Sequence, residues 1–180
     1  MDRICPRRSG LSLQENRSNL LPEEKTLITH ITEGFNFLGQ NVRKYGRKLL
    51  IKPARQSVRS VLGKARERIE SCRGQKAAVL IRKLNPVLRG WANYHRHIVP
   101  KRIFGRVDYF LSRMIWRWIR RQHPNKSCGW VQRRYFSASA TGSFAVRIQD
   151  PQGEKRVLSL YRAGLTLVER HIKVRADANP

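Results

Sequence analysis

Apolar residues recur at helical spacing through the middle of this chain. From about Ala54 to Ser71, Val58, Val61, Leu62, Ala65 and Ile69 share one face, while Arg55, Arg59, Lys64, Arg66 and Arg68 decorate the remainder. Arg73-Gly74 ends that helix. A second helix is predicted over about Gln75 to Tyr94, with Ala77, Leu80, Ile81, Leu84, Leu88 and Trp91 as its stripe. Pro86 must kink this helix or restart it with Asn85 as a cap, because the ring removes a donor and crowds the preceding turn. Pro100 separates it from a third helix, about Lys101 to His123, with Ile103, Val107, Phe110, Leu111, Met114, Ile115, Trp118 and Ile119 inside. Pro124 stops that helix, and a short one follows from Trp130 to Phe136.

The flanks read differently. Leu27–Ile31 is predicted as a strand, Thr32-Glu33-Gly34 as a turn, Phe35–Tyr45 as a second strand and Lys48–Lys52 as a third after Gly46. Pro53 closes this meander, since it cannot donate to a ladder. On the other side, residues 144–148 alternate at period two, residues 150–153 form a turn, and strands follow at 157–161 and 165–174. The expected fold class is mainly α with flanking β. It divides into a poorly ordered leader (1–25), a short antiparallel β-meander (26–53), a helical domain (54–136) and a small β-rich tail (137–180).

Charge changes the picture more than composition does. The chain has 180 residues, with 38 Lys+Arg against 12 Asp+Glu, a net charge of +26. So much like charge in one small domain disfavours compaction unless a polyanion neutralises it, so nucleic acid is the expected partner. No apolar run is long enough to span a bilayer and no signal-peptide core follows Met1, so no membrane partner is expected and an intracellular location, bacterial cytoplasm or organelle, is. Cys5, Cys72 and Cys128 are isolated, and the histidines show no ligand spacing beside them. Neither a zinc site nor a disulfide framework is predicted.

Catalytic chemistry finds no footing. No aspartates are adjacent, and there is no glycine-rich phosphate loop, nucleophile elbow or His-Glu-x-x-His pattern. No catalytic residue, metal or cofactor is assigned. The candidates are instead residues suited to RNA. Leu84 to Arg96 packs Arg89, Trp91, Asn93, Tyr94, His95 and Arg96 together: flat faces, guanidinium forks, and amide or imidazole edges. The third helix adds Lys101, Arg102, Arg106, Arg113, Arg117, Arg120 and Arg121, and Lys126, Arg133 and Arg134 follow. Arg113, Arg117, Arg120 and Arg121 are the expected phosphate-facing row. A merely solvated helix face would mix signs into pairs three and four residues apart; this one has Asp108 as its sole acid. The bland reading holds for Trp118, on the apolar stripe, and for His30 and His171 as sheet residues. Tyr94 and His95 fit a packing role at the end of the second helix equally well.

The Gly90-Trp91-Ala92-Asn93-Tyr94-His95-Arg96 stretch resembles the maturase (thumb, or X) domain signature of group II intron-encoded proteins. Further blocks, in that family's order, are similar as well. Glu33 to Gly39 resembles the last block of the polymerase palm, with Phe37, Leu38 and Gly39 at the primer grip; Arg43 to Pro53 resembles the palm-to-thumb hairpin. Arg82 to Pro86, Trp116-Arg117-Trp118 and Arg121 to Lys126 resemble thumb elements. Arg170 to Val174 with Ala178 to Pro180 resembles the linker to a DNA-binding and HNH region. The resemblance implies a three-helix thumb bundle and a maturase that binds intron RNA and assists splicing. The Tyr-x-Asp-Asp palm motif and the HNH module lie outside this sequence, so the expectation is a truncated protein without polymerase or endonuclease activity. A DNA-binding module gripping duplex DNA through residues 155–175, or an inactive remnant, are the rival readings.

Overall fold

In a computed structural model, residues 29–98, 100–139, 141–149 and 153–169 are described. The predicted leader, the first residues of the Leu27–Ile31 strand, the turn at 150–152 and the final strand beyond residue 169, with His171, lie outside them.

The chain is mainly helical with flanking β-structure. Strands β1 (Phe35–Phe37), β2 (Gln40–Tyr45) and β3 (Lys48–Pro53) form an antiparallel meander in that order. Four helices follow: α1 (Arg55–Ser71), α2 (Ala77–His95), α3 (Lys101–Gln122) and α4 (Cys128–Tyr135). A hairpin of β4 (Ala145–Gln149) and β5 (Lys155–Ser159) and a 3-10 turn (Ala163–Leu165) complete the described part. The helices bury one stripe each, because side chains three and four apart share a face. Val61, Ala65 and Ile69 of α1, Leu80, Ile81, Leu84 and Leu88 of α2, and Val107, Leu111, Ile115, Trp118 and Ile119 of α3 form one core, with Val131 and Tyr135 of α4 beside them. Trp118 belongs to that core, and its indole N–H donates to the Cys72 carbonyl at 3.1 Å.

Several expectations are corrected. Residues 29–31 are not a strand: the Glu33 amide donates to the His30 carbonyl at 2.9 Å, and Gly34, at φ +80°, folds the segment back. His30 is therefore no sheet residue. The predicted Phe35–Tyr45 strand is two strands, paired Phe37 to Gln40 across a Leu38-Gly39 turn in which both residues have positive φ (47° and 74°). That geometry matches the twist of a hairpin, but it ordinarily calls for Asn-Gly, so Leu38 conceals it.

Helix α2 runs unbroken through Pro86. Pro86 and Arg82, whose carbonyl loses its helical donor to the proline, are both exposed residues. Asn85 caps nothing in α2. Its amide donates to the Ser159 carbonyl at 3.0 Å and its oxygen accepts from the Tyr161 amide at 2.8 Å, clamping the tail to the bundle. In α3 the expected Val107, Leu111, Ile115, Trp118 and Ile119 are buried, but Phe104, left out of the expected stripe, is buried too and Phe110 is 39% exposed. Helix α4 begins at Cys128 because the Ser127 hydroxyl accepts from the Trp130 amide at 3.3 Å. Past Ser159 the chain forms the 3-10 turn rather than a strand, since Asp108 accepts from the Ala163 and Gly164 amides at 2.9 and 2.8 Å.

Candidate nucleic-acid interface

Helix α3 sorts its residues cleanly. Phe104, Val107, Leu111, Ile115, Trp118 and Ile119 face inward. Arg102, Arg106, Arg113, Arg117 and Arg120, separated by four, seven, four and three positions, fall on the opposite side and are all exposed. Tyr109 (56% exposed) and Phe110 (39%) flank them, with the Arg113 guanidinium 5.7 Å from the Tyr109 ring centre. None of these arginines forms an ion pair among the described residues. Between Glu70 and Asp150 the sequence has one acid, Asp108, and it is committed to the 3-10 turn. Burial pushes the Asp108 carboxyl up, against the opposing pull of those two amides and of Arg162. The cationic face is thus left without a counter-charge.

Helix α4 brings Arg133 across from Arg113 and Arg117, around a groove of about 730 Å³ whose lining includes half-buried Trp116 and Phe136. Arg121 departs from its expected row: it borders a different groove with Ile69, Glu70 and Arg73. Arg134 is exposed on α4, Lys126 lies 5.7 Å from the Trp130 ring centre, and Lys101 is exposed at the start of α3. None of the four described α-helices carries an acid in its first turn, so their positive ends are uncompensated too.

The Trp91–Arg96 segment is arranged otherwise. His95 has no exposed surface, which corrects its expected place among RNA-contacting residues. Its Nε2 shares a hydrogen bond with the Ser57 hydroxyl at 3.0 Å, and that hydroxyl accepts from the Trp91 indole at 3.0 Å. Its Nδ1 has no partner. Burial first, and then the positive charge of His97, lower the His95 pKa to about 4. Trp91 packs on Phe104, ring centres 5.3 Å apart. Tyr94, a half-exposed residue, donates to the Leu38 carbonyl at 2.7 Å. Gln40 and His97 are joined at 3.2 Å. These residues seat the β-meander on α1 and α2. Arg89 stacks over Tyr161 at 5.6 Å and Arg96 pairs with Glu169 at 3.2 Å, so both hold the tail. Of the candidates in this segment, Asn93 is the one exposed without a side-chain partner among the described residues. Phe37, Leu38 and Gly39 form the outward tip of the meander, Phe37 and Leu38 at 63% and 69% exposure. Ser57, Gln40 and His97 were not singled out by sequence; isolated polar residues carry no periodic signal.

The family model described as group II intron, maturase-specific domain matches residues 58–136. This stretch is similar to that maturase-specific domain. It begins within α1 and ends one residue past α4, so it takes in the arginine face, the Trp91–Arg96 segment and the groove lining except Ser137 and Gly142. The domain marks maturase-type function in group II intron splicing and is not a polymerase catalytic domain. No curated protein matches the chain. No described helix is long and apolar enough to cross a membrane, and no group of three potential metal ligands occurs among the described residues.

Proposed function

We propose that the chain binds the folded RNA of a group II intron through its maturase domain and assists intron folding and splicing, while the ribozyme performs the chemistry. The observation that carries this reading is the bare arginine face of α3, continued by Arg133 and Arg134 of α4 and flanked by Lys101 and Lys126. Intron domains that pack together crowd their phosphates, and a row of guanidinium forks relieves that repulsion with bidentate contacts. Exposed Tyr109 and Phe110 beside the arginines favour RNA over duplex DNA, because unpaired bases offer faces to stack on and a duplex does not. Arg89 and Arg96 contribute after the tail has used part of their capacity. Trp91, Tyr94 and His95 position the meander, and Asn93 is left to meet RNA.

The reading is tested by splicing of a group II intron transcript at magnesium concentrations too low for efficient self-splicing. The wild-type chain raises the spliced fraction, and the combined Arg113→Glu, Arg117→Glu and Arg120→Glu variant does not. Duplex DNA at equal phosphate concentration fails to compete. Equal splicing with the variant, or displacement of the RNA by the duplex, would overturn the proposal.

A further inference from the structure

The groove between α3 and α4 has a composition that backbone-phosphate binding alone does not require. Trp116 and Phe136, with ring centres 6.0 Å apart and planes at 42°, present half-buried aromatic surface to it. Arg113 and Arg117 stand on one rim and Arg133 on the other. Small residues, Ser112, Ser137 and Gly142, keep it open, and a Cβ added at Gly142 would meet nothing within 4 Å. No carboxylate lines it. The grooves lined by Glu67, by Asp108 and by Glu70 each contain an acid that would repel a phosphate. The cavity beside Tyr135 lacks an acid, but its aromatic ring is buried.

At about 730 Å³ the α3–α4 groove is the size of a site for one small ligand, between roughly 300 and 1,000 Å³. Aromatic surface enclosed by guanidinium groups is complementary to one ligand chemistry already implied by the arginine face: a flat base between two phosphates. The Gln132 amide, exposed and without a side-chain partner among the described residues, lies at the edge where it can meet a base's hydrogen-bonding groups.

We propose that this groove receives a single unpaired base of the bound RNA, stacked on Trp116 and Phe136, with its flanking phosphates on Arg113, Arg117 and Arg133. The inference rests on the RNA-binding reading above and deepens it: the arginine face positions the RNA backbone, and the groove selects places where a base is free to leave its helix. A fully paired stem would satisfy the arginines and leave the aromatic surface empty.

The test uses the full chain and three RNA hairpins of equal phosphate count: one with a single bulged 2-aminopurine nucleotide, one with an abasic residue at that bulge, and one fully paired. Wild type binds the bulged-base hairpin about tenfold tighter than the abasic one, the scale of one base stacked on an aromatic ring. The 2-aminopurine fluorescence is quenched on binding. Trp116→Ala reduces the preference to within about twofold and leaves affinity for the abasic hairpin unchanged, whereas Trp116→Phe retains most of it. Ser112→Leu fills the groove from an exposed position without disturbing the core, and it too removes the preference. Equal affinity for base and abasic hairpins, or a preference that survives both Trp116→Ala and Ser112→Leu, would overturn the groove assignment while leaving general RNA binding intact. Failure to bind even the abasic and paired hairpins would overturn both readings.

Discussion

His95 shows how a residue chosen for its hydrogen-bonding edge can be recruited to packing. Its ring is sealed between Trp91, Tyr94 and the Ser57 hydroxyl, with Nδ1 unpaired, so a proton there would create a buried donor without an acceptor. The folded chain keeps the imidazole neutral down to about pH 4, whereas the unfolded chain protonates near the usual 6.5. Above pH 6.5 the residue therefore adds no pH-dependent term. As pH falls from 6.5 toward 4 the unfolded state takes up a proton that the folded state refuses, and stability drops by up to about 3 kcal/mol. Denaturant unfolding at pH 7 and pH 4.5 checks this: His95→Gln loses a large part of the wild-type difference, and an unchanged difference would exclude His95 as its source. Asp108 makes the complementary point. As the one acid of α3 it could have neutralised an arginine, but it is held by two backbone amides of the tail. In both cases the residue type was visible in the sequence and the partner, far along the chain, was not.

At the scale of elements, legibility followed periodicity. The inward residues Val107, Leu111, Ile115, Trp118 and Ile119 of α3 recur every three or four positions, and the arginines occupy what is left. Phe104, three positions before Val107 and seven before Leu111, continues the stripe and is covered by Trp91 and Ala92 of α2 and by Ala163 of the tail, whereas Phe110 lies at the stripe's edge. Asn85 misled for a related reason: local rules allow a restart at Pro86 with Asn85 as its cap, but the helix continues through Pro86 and Asn85 is bonded to the tail. The Leu38-Gly39 turn was hidden because its first residue is the wrong type for its conformation. A bulky side chain at φ 47° is strained, and the turn is held by the Tyr94 hydroxyl on the Leu38 carbonyl and the Ala54 amide on the Gly39 carbonyl at 2.8 Å. Since Leu38 is mostly exposed, Leu38→Gly removes strain and little packing. Thermal or denaturant unfolding is expected to show a gain of about 1 kcal/mol. A loss of stability would mean that the leucine side chain itself holds the turn.

For the whole molecule, the +26 charge announced a polyanionic partner before any element was placed, and the maturase resemblance specified intron RNA. The charge total could not say which cations are free. Arg89 and Arg96 are engaged with Tyr161 and Glu169 and Arg121 borders a groove with α1 residues, whereas Arg102, Arg106, Arg113 and Arg117 of α3 and Arg133 and Arg134 of α4 are exposed without an ion pair among the described residues. The proposed function assigns phosphate contact to the α3 and α4 cations, while Arg89 and Arg96 hold the tail. The α3–α4 groove was invisible in sequence because Trp116 and Phe136 meet only once the two helices pack.

The most direct measurement is the affinity of the full chain for structured intron RNA across a salt series, for wild type and for Arg113→Glu with Arg117→Glu. Each phosphate contact contributes about 0.7–0.9 to the slope of log affinity against log salt, so the double variant is expected to bind more weakly and with a slope shallower by roughly 1.5. An unchanged affinity and slope would contradict the assignment of the α3 face as the RNA-binding surface.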